Sequence, residues 1–232
     1  MEKTVRSVDI PVIVPRSPWF RFFSFLMYYD VLGLLHLVFP LLYSIRVRGK
    51  EHLQGIRNAV IISNHCHYLD PGFAAYAVSP VRLCFTGLEK TFVESSRPFI
   101  MLIRLLGGIP IPDSHPWSIL PYLREVASSG HRRFIHIFPE GEMIRKSIDL
   151  RPFKPGAFVV AAECSIPVIP MVTSFQQRKF WFPRLTVQFL EPIDAVEVWE
   201  AAGSRKKSAI RSLSAAVRKR MQQAVNDMKA GG

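Results

Sequence analysis

Residues 19–45 read WFRFFSFLMYYDVLGLLHLVFPLLYSI, the most apolar stretch of the chain. Arg21 and Arg46 bracket 24 residues of it. As a straight helix these would reach about 36 Å at ~1.5 Å per residue, and a membrane span needs roughly 20 apolar residues. The interior of the run argues against a clean crossing. Asp30 is a residue that costs about 2.5–3.5 kcal/mol at a bilayer centre, His36 is a second polar group, and Pro40 interrupts the second half. Aromatics crowd the first half (Trp19, Phe20, Phe22, Phe23, Phe25, Tyr28, Tyr29), which suits the membrane interface better than the acyl core. The pattern predicts a helix, or a broken pair, lying in one leaflet. A true span and a buried soluble helix stay open as alternatives.

After Arg46 the rhythm changes to short β-rich runs alternating with longer helical ones. Strands are predicted at residues 59–63 (AVIIS), 81–86, 134–138 (FIHIF), 168–174 (VIPMVTS) and 185–190 (LTVQFL). Helices are predicted at 71–78, 95–106, 117–129 and 156–164. Such alternation predicts an α/β fold, a mixed sheet flanked by helices, with the apolar N-terminal segment membrane-associated. From residue 204 onward, Ile210, Leu213, Val217, Met221, Val225 and Met228 recur at helical spacing among many lysines and arginines. This predicts a basic amphipathic C-terminal helix. Its stripe either packs on the core or leaves the basic face to anionic lipid. The expected organisation is an extension over 1–18, an anchoring segment over 19–45, one α/β domain over 46–200 and the basic helix over 201–232.

Charge narrows the choice of partner. The 232 residues carry a formal net charge of +12, which favours nucleic acid, anionic headgroups or phosphorylated ligands without choosing among them. No nucleic-acid-binding signature accompanies the charge, and the apolar segment points to membrane lipid instead. Cys66, Cys84 and Cys164 are odd in number with no CxxC spacing, which fits a reducing compartment. The first residues, mixed in charge and interrupted by prolines, do not read as a secretory signal. Composition leaves the oligomeric state undetermined.

The chemistry concentrates in Ser63-Asn64-His65-Cys66-His67-Tyr68-Leu69-Asp70-Pro71, between a buried strand and a helix. His65 and Asp70 are five apart and on a regular helix would not share a face. A turn between them brings them together, and Pro71 favours one, since the residue before proline avoids the α region. Asp70 is then expected as the N-cap of the next helix, with its carboxylate orienting the imidazole. His65-Cys66-His67 also has the residue types of a metal pair, but no third ligand stands at a familiar spacing, so no metal is expected.

Three further segments follow in order. They are Lys90 through Asp113 (KTFVESSRPFIMLIRLLGGIPIPD), then Ile137-Phe138-Pro139-Glu140-Gly141, then Phe153-Lys154-Pro155-Gly156-Ala157 ahead of Ile166-Pro167-Val168-Ile169-Pro170. With Asn64-His65…Asp70 as an NHxxxxD motif and Phe138–Gly141 as an FPEG motif, residues 45–190 resemble the lysophosphatidic acid acyltransferase family of glycerolipid acyltransferases. The resemblance implies a glycerolipid-acyltransferase-like fold and transfer of a fatty acyl group from an acyl-CoA or acyl-carrier-protein thioester to a lysolipid hydroxyl in phospholipid biosynthesis, without a cofactor. It implies His65 as general base and Asp70 as its partner, with no covalent acyl-enzyme, although Cys66 is a conceivable nucleophile. It implies acceptor contacts from Asn64, Lys90, Phe138, Pro139, Glu140 and Gly141. It also implies a membrane-associated protein on the cytoplasmic face.

Two positions depart from the family pattern. Asp113 stands where the second block usually ends in arginine, and Glu142-Met143 follow the FPEG motif where Thr-Arg is usual. In the family those arginines are thought to hold the acceptor's phosphate, a task suited to bidentate guanidinium pairing. Arg145 is a candidate replacement, as are Lys146, Arg104 and Lys154. The alternative is an acceptor without a terminal phosphate monoester, such as lyso-ornithine lipid. A catalytically silent lipid-binding relative is a further reading.

Overall fold

The computed structural model describes residues 17–145, 147–178, 181–201 and 206–230. All but the last two residues of the expected N-terminal extension lie outside this set, as do Lys146 and the start of the basic C-terminal run at 204.

Helix α1 (Pro18–Leu42) is single and continuous. Ser17 caps it, its Oγ accepting from Phe20 N at 3.2 Å. Of the two forms expected, a helix or a broken pair, it takes the first: Pro40 falls in the last turn, where Tyr43 N closes onto Phe39 O at 2.8 Å. One face is held to the domain along most of its length. Ser24 Oγ donates to Leu105 O at 2.6 Å, and Tyr28 Oη accepts from Leu83 N at 2.9 Å. Nearer the end, Phe39 stacks edge-on against Phe73 at 5.1 Å. The opposite face leaves Trp19, Phe22, Phe23, Leu34, Leu37 and Leu41 exposed, and Asp30 is exposed as well. The helix is long and apolar enough to cross a membrane. Its attachment from Ser24 to Phe39 instead fits a helix lying along the domain.

Strand β1 (Ser44–Arg48) follows directly, so the helical segment stops three residues before the expected 45. Next come a 3-10 turn (Lys50–Leu53), β2 (Asn58–Ser63), α2 (Asp70–Val78), β3 (Arg82–Leu88), the short α3 (Glu89–Val93), α4 (Arg97–Leu105) and β4 (Gly108–Ile111). A second 3-10 turn (Pro116–Ile119) leads into α5 (Leu120–Ser128), β5 (Arg133–Ile137), α6 (Gly156–Cys164), β6 (Val168–Gln176), β7 (Arg184–Phe189), α7 (Ala195–Ala201) and α8 (Lys206–Ala230).

The strands form one sheet in the order β1-β7-β6-β2-β5-β3-β4. Strands β2 to β6 run parallel, while β7 is antiparallel to β6 and β1 is parallel to β7. The sheet is therefore mixed, as expected. Central parallel strands are buried on both faces and so are apolar throughout. Val60 and Ile62 of β2 face the α5, α6 and α8 side with Ile135, Phe158 and Met221. Ala59 and Ile61 face the α2 side with Phe73, Phe134 and Leu185. In α8 the apolar stripe Leu213, Val217, Met221 and Val225 is buried on the core, which decides for core packing and turns the basic residues outward. The carboxyl ends of β2 and β5, paired side by side, point the same way. That end of a parallel sheet is where α/β proteins build their sites.

Candidate active site

The loop leaving β2 wraps around one carboxylate. Asp70 is fully buried, and its Oδ2 accepts from His65 Nδ1 at 2.8 Å, from Cys66 N at 2.7 Å and from His67 N at 2.8 Å. Asp70 N closes the turn onto His67 O at 3.1 Å. The side chain thus reaches back into the preceding loop and does not cap α2. Leu69 holds the cap position, with no side-chain cap bond, which corrects the expected N-cap role. The reason is geometric: the loop curls so that two of its own amides and the imidazole converge on Asp70 before the helix begins. With Nδ1–H donating to Asp70, the His65 lone pair lies on Nε2. The His65 side chain is 22% exposed, and its ring stacks on Phe138 at 4.0 Å and 20°.

The flanking residues hold this loop. Asn64, expected at the acceptor, is buried instead: its Nδ2 donates to Thr173 O at 2.9 Å and its Oδ1 accepts from Thr173 N at 2.8 Å. Its amide is spent on β6, so it fixes the loop to the sheet. Beneath it, Ser63 Oγ and His136 Nε2 lie 2.7 Å apart. Burial, helped by the nearby His65, pushes the His136 pKa down to about 3, so this imidazole is neutral. Burial first, and Asp70 second, raise the Cys66 thiol far above its ordinary range. A thiol so held is a poor nucleophile. His67 points elsewhere, its ring stacked on Phe175 at 5.3 Å and its Nδ1 accepting from Leu69 N at 3.1 Å.

The loop after β5 closes the other side. Ile144 N donates to His65 O at 3.1 Å, and Lys154 N donates to Pro139 O at 2.8 Å. Gly141 has φ +75°, a left-handed conformation that favours glycine, and the Lys154 side chain lies close over it. Glu140 has a side chain only 2% exposed and pairs with Arg151 Nε at 3.1 Å, while Arg151 Nη1 reaches Glu142 at 3.1 Å. Burial raises the Glu140 pKa, and Arg151 partly offsets it. The second carboxylate oxygen, Oε1, is buried without a partner. Arg145 lies over the Tyr68 ring at 5.2 Å, above the histidine loop.

The structure thus gathers His65, Asp70, Phe138, Pro139, Glu140, Gly141 and Arg145 around two loops. Lys90 stands apart on α3, exposed and 3.8 Å from Glu94. Asp113 is exposed, its N–H donating to Glu89 at 3.0 Å, and Arg104 sits in α4. Arg151 was invisible to motif reading, because it lies eleven residues from Glu140 between two recognisable blocks. The available signal was charge balance: a buried FPEG glutamate without the usual following arginine needs another cation.

Fold and site together define an α/β protein with a His–Asp pair at the carboxyl ends of its central strands, beside an apolar helix. Residues 44–174, more than half of the chain, match the family model described as Acyltransferase, and the chain belongs to that family. It is 31% identical over 178 residues to 1-acyl-sn-glycerol-3-phosphate acyltransferase beta from Homo sapiens, covering 71% of this chain and 62% of that protein. It is 29% identical over 193 residues to 1-acyl-sn-glycerol-3-phosphate acyltransferase from Escherichia coli K12, covering 80% of this chain and 74% of that protein. Among solved structures, the 1-acyl-sn-glycerophosphate (LPA) acyltransferase PlsC from Thermotoga maritima superposes with a TM-score of 0.64 at 20% identity, covering 91% of this chain and 88% of that one. The last similarity concerns the fold, which agrees with the one expected.

Proposed function

We propose that the protein transfers a fatty acyl group from a thioester, acyl-CoA or acyl-carrier protein, to the hydroxyl of a lysolipid at the membrane surface. The observation that carries this reading is the 2.8 Å contact between His65 Nδ1 and the buried Asp70 carboxylate, itself fixed by two backbone amides. His65 Nε2 takes the proton of the acceptor hydroxyl as its oxygen attacks the thioester carbonyl. Asp70 holds the tautomer and stabilises the imidazolium. The tetrahedral intermediate collapses, the C–S bond breaks, and the proton passes from His65 to the leaving thiolate. No acyl-enzyme forms. The helix α1 lies in one leaflet, on the cytoplasmic side where thioester donors are made.

The acceptor is 1-acylglycerol-3-phosphate or a related lysophospholipid, in keeping with the names of the relatives. A second reading, an acceptor without a phosphate monoester such as lyso-ornithine lipid, is favoured by Glu142 beside Glu140 and by the engagement of Arg151 with both carboxylates. An intact Asp70 clamp speaks against a silent relative. The test is turnover of labelled acyl-CoA or acyl-carrier protein by the purified protein with a panel of lysolipids, in wild type and His65→Ala. General-base loss is expected to cost roughly 10²–10⁴-fold with vesicle binding unchanged. Undiminished turnover in the variant sinks the mechanism, and lysophosphatidic acid as the clear best acceptor defeats the second reading.

A further inference from the structure

The outer strands β1 and β7 carry a concentration of positive charge that the acyl-transfer site does not use. Ser44, Arg46 and Arg48 stand opposite Arg184, Thr186 and Gln188. Gln176 and Ser174 of β6 stand opposite Arg184 and Thr186 in turn. Alternation puts all of these on one face, while Ile45, Val47, Leu185 and Val187 turn into the core. The polar face forms a cleft of about 200 Å³ lined by Arg46, Arg48 and Arg184. Among the described residues the lining includes one carboxylate, Asp227, whose Oδ1 accepts from Gln223 Nε2 at 3.0 Å. Arg184 Nε is shut off from solvent without an acceptor. The Arg46 guanidinium, with burial, Arg178 and Arg48, holds the Arg184 pKa below its ordinary value. Guanidiniums crowded in this way call for a counter-anion.

The neighbouring surface indicates where the anion comes from. The connection between β6 and β7 exposes Trp181 (71%) and Phe182 (61%), with Arg178 5.9 Å over the Trp181 ring. Ser44 N donates to Pro183 O at 2.9 Å, tying this tip to the end of α1, where Leu41 and Leu42 are exposed. The apolar outer face of α1 therefore continues onto the tip, and tryptophan beside arginine is the composition of a membrane interface. Two residues along β1, at ~3.3 Å each, place Arg46 about 7 Å beyond Ser44. The cleft therefore opens beside this apolar tip, within one lipid headgroup's reach of it. Arg184 lies two interstrand spacings, about 10 Å, to the side of the β2 strand that leads to His65.

We propose that the cleft of Arg46, Arg48 and Arg184 seats the phosphate of an anionic membrane phospholipid, with Trp181 and Phe182 inserted beside it. This rests on the membrane-surface reading given above. The test is sedimentation of the full chain with phosphatidylcholine vesicles, with and without one third phosphatidylglycerol. Wild type is expected to bind the anionic vesicles more tightly. The Arg46→Gln/Arg48→Gln/Arg184→Gln variant is expected to lose that preference, about fivefold per arginine, and to keep its binding to neutral vesicles. The control Arg211→Gln/Arg218→Gln/Lys219→Gln removes equal charge from the exposed side of α8 and is expected to keep most of the preference. Equal loss in the control overturns the seat in favour of diffuse charge. A cleft variant that raises the KM for acyl-CoA while binding vesicles normally assigns the cleft to a soluble phosphorylated ligand and overturns the lipid. Trp181→Ser/Phe182→Ser, at a fully surface position, covers the case of a misfolded arginine variant. It is expected to weaken binding to both vesicle types, and unchanged binding contradicts the insertion. Wild type that binds no vesicle sinks the membrane reading itself, whereas equal binding to both kinds sinks the cleft alone.

Discussion

Removing Arg151 isolates a buried charge. Arg151→Leu keeps much of the side chain's bulk and leaves Glu140 with no cation at 3.1 Å. Breaking a fully buried ion pair costs about 3–5 kcal/mol. Here Glu140 is 2% exposed but Arg151 is 27% exposed, so solvent screens part of the interaction and the expected loss is about 2–3 kcal/mol. For a chain of this size that lowers Tm by roughly 4–12 °C. The double variant Glu140→Gln/Arg151→Leu should recover part of the loss, because no charge is then stranded. The pH dependence carries the sharper test. Burial already raises the native Glu140 pKa above its ordinary 4.5, and losing Arg151 raises it further. A carboxyl with a raised native pKa binds protons more readily folded than unfolded, so its penalty is felt above the raised value and fades as pH falls to the ordinary one. Urea denaturation of both proteins at about pH 7.5 and about pH 4 should show the deficit at the first and little of it at the second. A deficit independent of pH, or single-variant losses that simply add, would refute the coupling. Activity should fall as well, since the same loop hydrogen-bonds the His65 carbonyl.

Other outcomes follow from the same geometry. His136, neutral at a pKa of about 3 against an ordinary 6.5, contributes stability that is full above 6.5 and lost as pH falls toward 3, on the order of 5 kcal/mol at 1.36 kcal/mol per unit. His136→Gln should flatten the acid limb of a pH–stability curve, and an unchanged limb contradicts the assignment. Cys66→Ala should keep turnover within severalfold, since its buried thiol stays protonated; a loss of several hundredfold in purified protein would restore the covalent mechanism. Phe22→Ser/Phe23→Ser on the outer face of α1 should weaken vesicle sedimentation about tenfold per residue, and unaltered sedimentation removes the helix from the membrane.

Periodicity located five strands to within a few residues: β2, β5 and β6 because strands buried on both faces are almost continuously apolar, β7 by its alternation of buried and half-buried positions, and β3 by its apolar run from Leu83 to Phe85. It missed β1. Ser44 and Ile45 close an apolar run that reads as helix, and the Ile45/Val47 alternation is too short to stand out beside it. Helix α7 and the short α3 escaped for the same reason. The His65–Asp70 pairing was legible as a need for a turn. Its form was not: a cap sequence and a back-reaching clamp look alike on paper, and the choice depends on where the Cys66 and His67 amides point. Asn64 was misplaced because a motif position says that a residue matters without saying whether it touches substrate or β6. Arg151 shows the converse, a residue outside every motif that the burial of Glu140 makes necessary.

The histidine loop has two chemically opposed sides. Inward, the Asn64 amide is committed to Thr173 and the Cys66 and His67 amides and the His65 imidazole to Asp70, so the loop is held before any substrate arrives. Outward, Tyr68 and Leu69 are exposed, as are Leu88 at the end of β3 and Phe99 and Met101 on α4, which packs against α1 through Ser24 and Leu105. On the acyl-transfer reading proposed above, a water-soluble acceptor would leave these apolar side chains in water, whereas a lysolipid's acyl chain would cover them while its hydroxyl meets His65. That reading therefore predicts that the reacting hydroxyl arrives attached to a hydrocarbon chain. A short-chain or water-soluble alcohol presents the same nucleophile to the same base, but it lacks the apolar contact that holds the oxygen in line with Nε2.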